Sequence, residues 1–269
     1  MELISAASNM TVATSYVCEE SWHGVKASKS RIFDNGPYWV QPLRSRPRTV
    51  VLTKTHCGGY SHNRPLSESI EAAHRFPMLC ASAFSKGNEK GASHFWYGYD
   101  KVNRAIHLIR DPLDNLVARY HYYGVRLNEG SNTRDAKGFA RFCNKKDSMH
   151  SRDLDLHIDP QILNLTLDIP CHVDLFRYVL WHNLALNATE QSFQVPTLVL
   201  HYEDYASDFE GTLESILKFL ELQNMGQYAT FQKGKSYRDY FTEEQVARMR
   251  SATMMLSLPT TWRYLERYF

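Results

Sequence analysis

Residues 105–120 read AIHLIRDPLDNLVARY, and the joint between Arg110 and Pro112 decides what kind of fold this is. Ala105 to Ile109 is a short apolar run rich in β-branched and aliphatic residues, as expected of a buried strand. Asp111 is a natural N-cap, and Pro112 sits at the first helical position, where its missing N–H costs nothing. Leu113, Leu116, Val117 and Tyr120 then recur at helical spacing and predict one buried face. A strand that turns within two residues into a helix is half of a βαβ unit.

Working outward, the same grammar repeats. Thr49 to Thr53 is an apolar strand leading into TKTHCGGY (53–60), and Thr197 to Leu200 is another leading into His201-Tyr202-Glu203-Asp204. Ser207 with Glu210 and Thr242 with Gln245 each read as a capping box opening a helix. A helix is expected around Leu66 to Arg75, an amphipathic one over Val173 to Ala188, and loop over Ser85 to Ser93. Residues 128–170 read as a polar stretch, and residues 1–48 as irregular, broken by Gly36-Pro37, Pro42 and Pro47. Strands alternating with helices predict an α/β protein with a parallel sheet covered on both faces, in one domain spanning 1–269.

Bulk properties narrow the function. The 269 residues are 43% hydrophobic and 22% charged with a net charge of +2, which argues against broad electrostatic binding to nucleic acid or anionic membrane. No apolar stretch approaches a membrane span, and the N-terminus lacks the basic and apolar regions of a signal peptide. Cys18, Cys57, Cys80, Cys143 and Cys171 are odd in number and contain no CxxC pair, which speaks against a disulfide framework or structural zinc and leaves one bridge open. Sequons stand at Asn9, Asn164 and Asn187.

In an open parallel sheet, ligands collect at the carboxyl ends of the strands. All three predicted strands end in polar, specific residues: Lys54 to Gly59, Arg110-Asp111, and Tyr202-Glu203-Asp204. TKTHCGGY is not a Walker A loop, because its lysine precedes the glycines. If the chain stays extended past Thr53, Lys54 and His56 project on one side, a cation beside a titratable imidazole. The plainer alternative is a polar turn. Arg110, beside the free N–H groups of a helix start, suits a phosphate; the alternative is an ion pair with Asp111 or Asp114. Tyr202-Glu203-Asp204 also reads as a structural turn.

Taken together, these segments resemble the sulfotransferases that use 3′-phosphoadenosine 5′-phosphosulfate. The resemblance is carried by KTH at 54–56, AIHLIRDPLDNLVARYHYY at 105–123, LVLHYEDYASDFEGTLESILKFLEL at 198–222 and KGKSYRDYFTEEQ at 233–245, and covers roughly 49–269. The KTHCGG and Trp181-His182-Asn183 segments are similar to those of algal and fungal sulfotransferase-like proteins. The resemblance implies a P-loop NTPase-like three-layer sandwich with a central parallel sheet. It also implies His56 as the base that deprotonates a hydroxyl or amine acceptor, carbohydrate among the candidates, with Lys54 beside the transferring sulfuryl group. Thr55, Gly58, Gly59, Arg110, Tyr202, Lys233 and Gly234 would hold the donor: Arg110, Lys233 and Gly234 at the 3′-phosphate, and Tyr202 near the adenine. No metal is implied, and the compartment stays open between cytoplasm and Golgi lumen.

Two departures from the pattern stand out. The family's 5′-phosphosulfate loop, a P-[KG]-[ST]-G-[NT]-T-W turn ahead of KTH, has no match in residues 1–48; Gly24-Val25-Lys26-Ala27-Ser28 is the nearest string. Either the chain lacks its first βα unit, leaving a vacant place beside Thr49 to Thr53, or the Thr55 to Gly59 backbone serves instead, or activity has been lost. The family's serine eight residues after the arginine is here Ala118, so one 3′-phosphate contact is gone. A kinase using ATP is disfavoured, since no magnesium-binding Ser/Thr follows a P-loop lysine.

Overall fold

The computed structural model describes residues 2–8, 12–14, 31–32, 38–39, 51–57, 73–85, 93–126, 133–226, 228, 231 and 237–269. Gly58, Gly59, Lys233 and Gly234, the 24–28 string and most of the helix expected at 66–75 lie outside these residues. Residues 73–75, at that helix's predicted end, form a turn.

The chain opens with helix α1 (Glu2–Ser8) and strands β1 (Val12–Thr14), β2 (Arg31–Ile32), β3 (Tyr38–Trp39) and β4 (Leu52–Lys54). These strands form one ladder in the order β2-β3-β1-β4. Where residues 1–48 are described, the irregular reading is thereby corrected. The place beside β4 is filled by β1, which pairs with it in parallel from Val12↔Leu52 to Thr14↔Lys54. Strands of two or three residues leave too little periodicity to find in a sequence. α1 is part of the main body: Ile4 and Ala7 pack with Leu200, Leu213, Ile216 and Leu217, and the Ala7 carbonyl accepts from Met225 N–H at 2.6 Å.

Next come helix α2 (Phe76–Cys80) and the hairpin β5 (Ser82–Ser85) with β6 (Ser93–Trp96), whose pairing brackets the loop expected at 85–93. β7 (Ala105–Ile109) follows, and after it α3 (Pro112–Arg119). The strand, cap and helix of this joint are as read, except that β7 is only partly buried: His107 and Ile109 are inside, while Leu108 is exposed. The Asp111 carboxylate accepts from the N–H groups of Leu113 at 2.8 Å and Asp114 at 3.3 Å. Leu113, Leu116, Val117 and Tyr120 are all buried, each apolar side chain contributing roughly 1.5–3 kcal/mol. The helix runs on through a π-helical stretch, Tyr120–Arg126. There Gly124 is needed because a Cβ would lie 2.6 Å from the Tyr120 ring.

The polar stretch 128–170 is corrected too: it holds the long helix α4 (Ala136–His157) and the short α5 (Pro160–Thr166). Among the described positions of α4, Gly138, Phe139, Phe142, Cys143, Lys146, Asp147, His150 and Leu154 are buried, spaced as one helical face. Three of these, Lys146, Asp147 and His150, are charged or polar, which hides the face from a hydrophobic pattern. Each of those three is satisfied by another element or ring. The Asp147 carboxylate accepts from the N–H groups of Cys171 and Val173, and burial pushes its pKa up to about 7. His150 meets Arg177, and Lys146 lies over the Phe142 ring.

Helix α6 (His172–Asn187) occupies the centre, buried on nearly every side. Its Asp174 binds Arg177 at 3.0 Å and Arg119 of α3 at 3.3 Å, and these two cations hold the carboxyl below its usual range despite burial. Thus Arg119, next to Ala118, points into the core. After β8 (Thr197–His201) come α7 (Asp204–Ser207), α8 (Phe209–Leu220), α9 (Glu243–Leu256) and α10 (Pro259–Leu265). The Thr242–Gln245 capping box is present. The Ser207–Glu210 box is not: Asp208 caps α8, accepting from Gly211 N–H at 3.0 Å.

β7 and β8 pair in parallel over five residues, from Ala105↔Thr197 to Ile109↔His201. The fold is therefore helix-rich α/β with small parallel ladders. Among the described residues, β4 and the β7–β8 pair belong to separate ladders rather than to one central sheet.

The cysteine reading is corrected as well. Two disulfides are present, Cys57–Cys80 and Cys143–Cys171, closing separations of 23 and 28 residues. The second ties α4 to the start of α6. Each pair joins a helix to a turn or helix start that meets it only in the tertiary fold, which spacing along the chain does not reveal.

Candidate functional site

β7 and β8 deliver their ends side by side: Tyr202 N–H donates to the Ile109 carbonyl at 2.7 Å. The next residues outward, Arg110 and Tyr202, therefore meet, with the guanidinium carbon 4.9 Å from the ring centroid. The Arg110 carbonyl accepts from the Tyr178 hydroxyl at 2.6 Å. Among the described residues, its Nε is buried and meets no hydrogen-bond partner. Of the carboxylates weighed as its ion-pair partners, neither forms a close ion pair with it among the described residues, although the Arg110 charge still acts on Asp114. Asp111 caps α3, and one oxygen of Asp114 accepts from Tyr237 N–H at 2.7 Å.

One sequence expectation fails here. The helix start beside Arg110 offers few free N–H groups: those of Leu113 and Asp114 go to the Asp111 carboxylate, and that of Asp111 goes to Glu203 at 2.9 Å. Pro112 has none. Burial, and next the Asp114 charge, push the Asp111 carboxyl up to about 6. What this turn can offer an anion is therefore side chains rather than free N–H groups of a helix start.

Glu203 does more than the turn role weighed for it. Its second oxygen accepts from the Tyr268 hydroxyl at 2.8 Å, and that hydroxyl lies 2.7 Å from His201 Nδ1. Arg238 reaches the Tyr268 carbonyl at 3.1 Å. Neither Tyr268 nor Tyr178 was legible as a site residue, because each arrives from a helix or turn distant in sequence.

The other half of the predicted site follows β4. The strand ends at Lys54, and the Thr55 hydroxyl oxygen accepts from Cys57 N–H at 3.0 Å, making a tight turn that Cys57 completes with φ +51°. Lys54 and His56 are thus not two positions of one extended strand. Cys57 N–H is spent on this turn and on no phosphate. His56 is exposed, and its carbonyl accepts from Trp181 Nε1 at 3.2 Å. Cys57 and Cys80 pack with Phe76, Trp181, Ala185 and Ala188 against α6.

The Trp181-His182-Asn183 segment is thereby explained residue by residue. Trp181 holds the His56 carbonyl. His182 Nδ1 lies 2.6 Å from His107 Nε2, and burial keeps both imidazoles neutral, His107 at about 4 and His182 well below the usual value. Asn183 bonds the Leu256 carbonyl and the Leu258 N–H, fixing the turn between α9 and α10. Among the described residues, no group of three or more His, Cys, Asp or Glu is placed to hold a metal ion, and no helix is long and apolar enough to cross a membrane.

A family model described as Sulfotransferase domain matches residues 98–252, more than half of the chain. The matched span contains Arg110, Tyr202, Lys233 and Gly234 and begins after the Lys54 to Gly59 segment. No curated protein and no solved structure matches.

Proposed function

The chain belongs to the sulfotransferase domain family, and we propose that it moves a sulfuryl group from 3′-phosphoadenosine 5′-phosphosulfate to a hydroxyl or amine acceptor, on a P-loop NTPase-like three-layer fold. The observation that carries this reading is Arg110: it lies over Tyr202 at the carboxyl ends of a parallel strand pair, and its buried Nε has no hydrogen-bond partner among the described residues. A buried, unsatisfied guanidinium nitrogen is costly unless a ligand completes it. A phosphate oxygen is its natural complement, and the Tyr202 ring beside it suits a stacked base.

In this reading Arg110 holds the 3′-phosphate, with Lys233 and Gly234, and Tyr202 lies against the adenine. Thr55, Gly58 and Gly59 lie toward the donor's 5′ end. The donor supplies an activated sulfuryl group. Lys54 offsets negative charge that builds on the leaving phosphate, and His56 removes the proton from the acceptor as its oxygen or nitrogen attacks. Exposure of His56 suits a base that must meet an incoming acceptor. The two disulfides favour an oxidising compartment, and with it a lumenal or extracellular acceptor such as a carbohydrate.

A second reading, a nucleotide-binding protein without turnover, is favoured by one feature. Residues 1–48 contain no P-[KG]-[ST]-G-[NT]-T-W match. Titration calorimetry with adenosine 3′,5′-bisphosphate, 5′-AMP and ATP, together with radiolabelled sulfuryl transfer to a panel of hydroxyl and amine acceptors, separates the two. Bisphosphate preference with transfer supports the enzyme; preference without transfer supports the second reading; no preference overturns both.

A further inference from the structure

We propose that Tyr268 is a positioning residue for the anion site, acting through Glu203 on the loop that carries Arg110; this rests on the reading of Arg110 as a phosphate-binding residue. Tyr268 belongs to the 3-10 turn Glu266–Tyr268, more than 150 residues beyond Arg110 in sequence, yet its hydroxyl sits at the exit of β8 on His201 and Glu203, and Glu203 reaches across to the exit of β7.

The protons in this chain of contacts can be ordered. Burial, and next the bond to Glu203, push the Tyr268 phenol far above its usual value, so it keeps its proton. A carboxylate only accepts, so that proton points at Glu203 Oε2. His201 Nδ1, 2.7 Å from the same oxygen, must therefore carry a hydrogen and donate. The result runs in one direction: His201 N–H to Tyr268, Tyr268 O–H to Glu203, and Glu203 Oε1 receiving the Asp111 N–H at 2.9 Å. On the other side, the Tyr178 hydroxyl holds the Arg110 carbonyl. The peptide between Arg110 and Asp111 is thus gripped at both its polar atoms, C=O and N–H. A fixed peptide fixes where the arginine side chain starts.

The same turn is coupled to the segment that follows Lys233 and Gly234. Arg238 donates to the Tyr268 carbonyl, and Tyr237 N–H donates to Asp114 in the first turn of α3. Arg267 pairs with Asp204 at 2.8 Å, holding the turn down beside Glu203. Tyr268 therefore joins two stretches that the proposed 3′-phosphate would touch.

The test uses the full chain and two variants. Tyr268→Phe removes only the hydroxyl; Glu203→Gln keeps the shape and one acceptor while disturbing the chain of donors. Each is titrated with adenosine 3′,5′-bisphosphate and with 5′-AMP, and the readout is the ratio of the two affinities. Both variants should lower that ratio by about 3–30-fold, the loss of one hydrogen bond that orients a charged contact, with 5′-AMP affinity little changed. The double variant should be no worse than the worse single one, since both act through one chain. An unchanged ratio, or an equal fall in both affinities, overturns the positioning role while leaving the Arg110 reading in place. Should Tyr268→Phe fail to fold, Glu203→Gln alone decides by the same ratio. A wild type without bisphosphate preference fails differently: it removes the Arg110 reading itself, and this inference with it.

Discussion

Tyr178 and Trp181 stand three residues apart on one face of α6, and each bonds a main-chain carbonyl of the proposed site, that of Arg110 at 2.6 Å and that of His56 at 3.2 Å. One turn of a buried helix thereby bonds to the main chain at both strand exits. α6 is rigid because it is buried on nearly every side and tied to α3 through Asp174 and Arg119. The site's two halves inherit that rigidity.

Arg110→Ala should weaken binding of adenosine 3′,5′-bisphosphate by roughly 1.5–3 kcal/mol, the worth of one hydrogen bond to a charged group. Affinity for 5′-AMP should barely move. Calorimetry with both ligands checks this, and an equal loss for the two would contradict the 3′-phosphate assignment.

His56→Ala should leave bisphosphate binding nearly intact and lower transfer by about 10²–10⁴-fold, because a general base matters only as the acceptor attacks. Lys54→Ala should weaken both, to a smaller degree each. Radiolabelled transfer measured beside calorimetry distinguishes them. A His56→Ala protein that transfers at the wild-type rate would remove the histidine from the chemistry.

Trp181→Phe deletes the indole N–H that holds the His56 carbonyl and keeps most of the ring packing against Phe76 and His107. Turnover should fall by about 3–10-fold, as expected for one hydrogen bond, with donor affinity unchanged. Tyr178→Phe should do the reverse. If both variants depressed the same parameter, the division of labour along α6 would be wrong.

His107 carries a signature in pH. Burial, and next the His201 charge, lower its folded-state value to about 4 from an ordinary 6.5. The unfolded chain therefore binds the proton first, and stability is lost as pH falls from 6.5 toward 4. Lowering by more than two units corresponds to about 3 kcal/mol across that window. Asp111 works oppositely. Its carboxyl is raised to about 6 by burial, so the folded state takes up the proton first and gains stability as pH falls from 6 toward 4. Chemical denaturation of His107→Gln at pH 7 and pH 4.5 should show a shallower acid loss than wild type. An identical slope would mean that His107 is not buried as a neutral base.

Removing Cys143–Cys171 as a double serine variant should cost about 2–4 kcal/mol of unfolding free energy, for a closed loop of this size. Removing Cys57–Cys80 should additionally depress transfer, since Cys57 adjoins His56 and completes the turn after Thr55. Denaturation and transfer assays on the two double variants, side by side, measure the contrast.

The elements read most securely from sequence were those whose cause is local. The β7–α3 joint is specified by Asp111, Pro112 and four apolar positions, and the α9 capping box by Thr242 and Gln245; both came out as read, because hydrogen bonds within three residues build them. α4 escaped because its buried face includes Lys146, Asp147 and His150, whose partners come from α6 or from a ring one turn away. The short strands before residue 40 escaped because two or three residues carry no period. For the site, the sequence by itself determined which chemical groups stand at the strand exits: Lys54 at the end of β4 and His56 beyond it, Arg110 after β7, Tyr202 and Glu203 after β8. Only the tertiary structure decided how they are held. Tyr178, Trp181 and Tyr268 reach the site from helices and turns far along the chain, and the N–H groups expected to be free at the start of α3 are spent on Asp111 and Glu203. Residue type follows from sequence alone, whereas the partner of a buried polar atom depends on which distant segments pack against it, and hydrophobic burial chooses those segments without regard to their order in the chain.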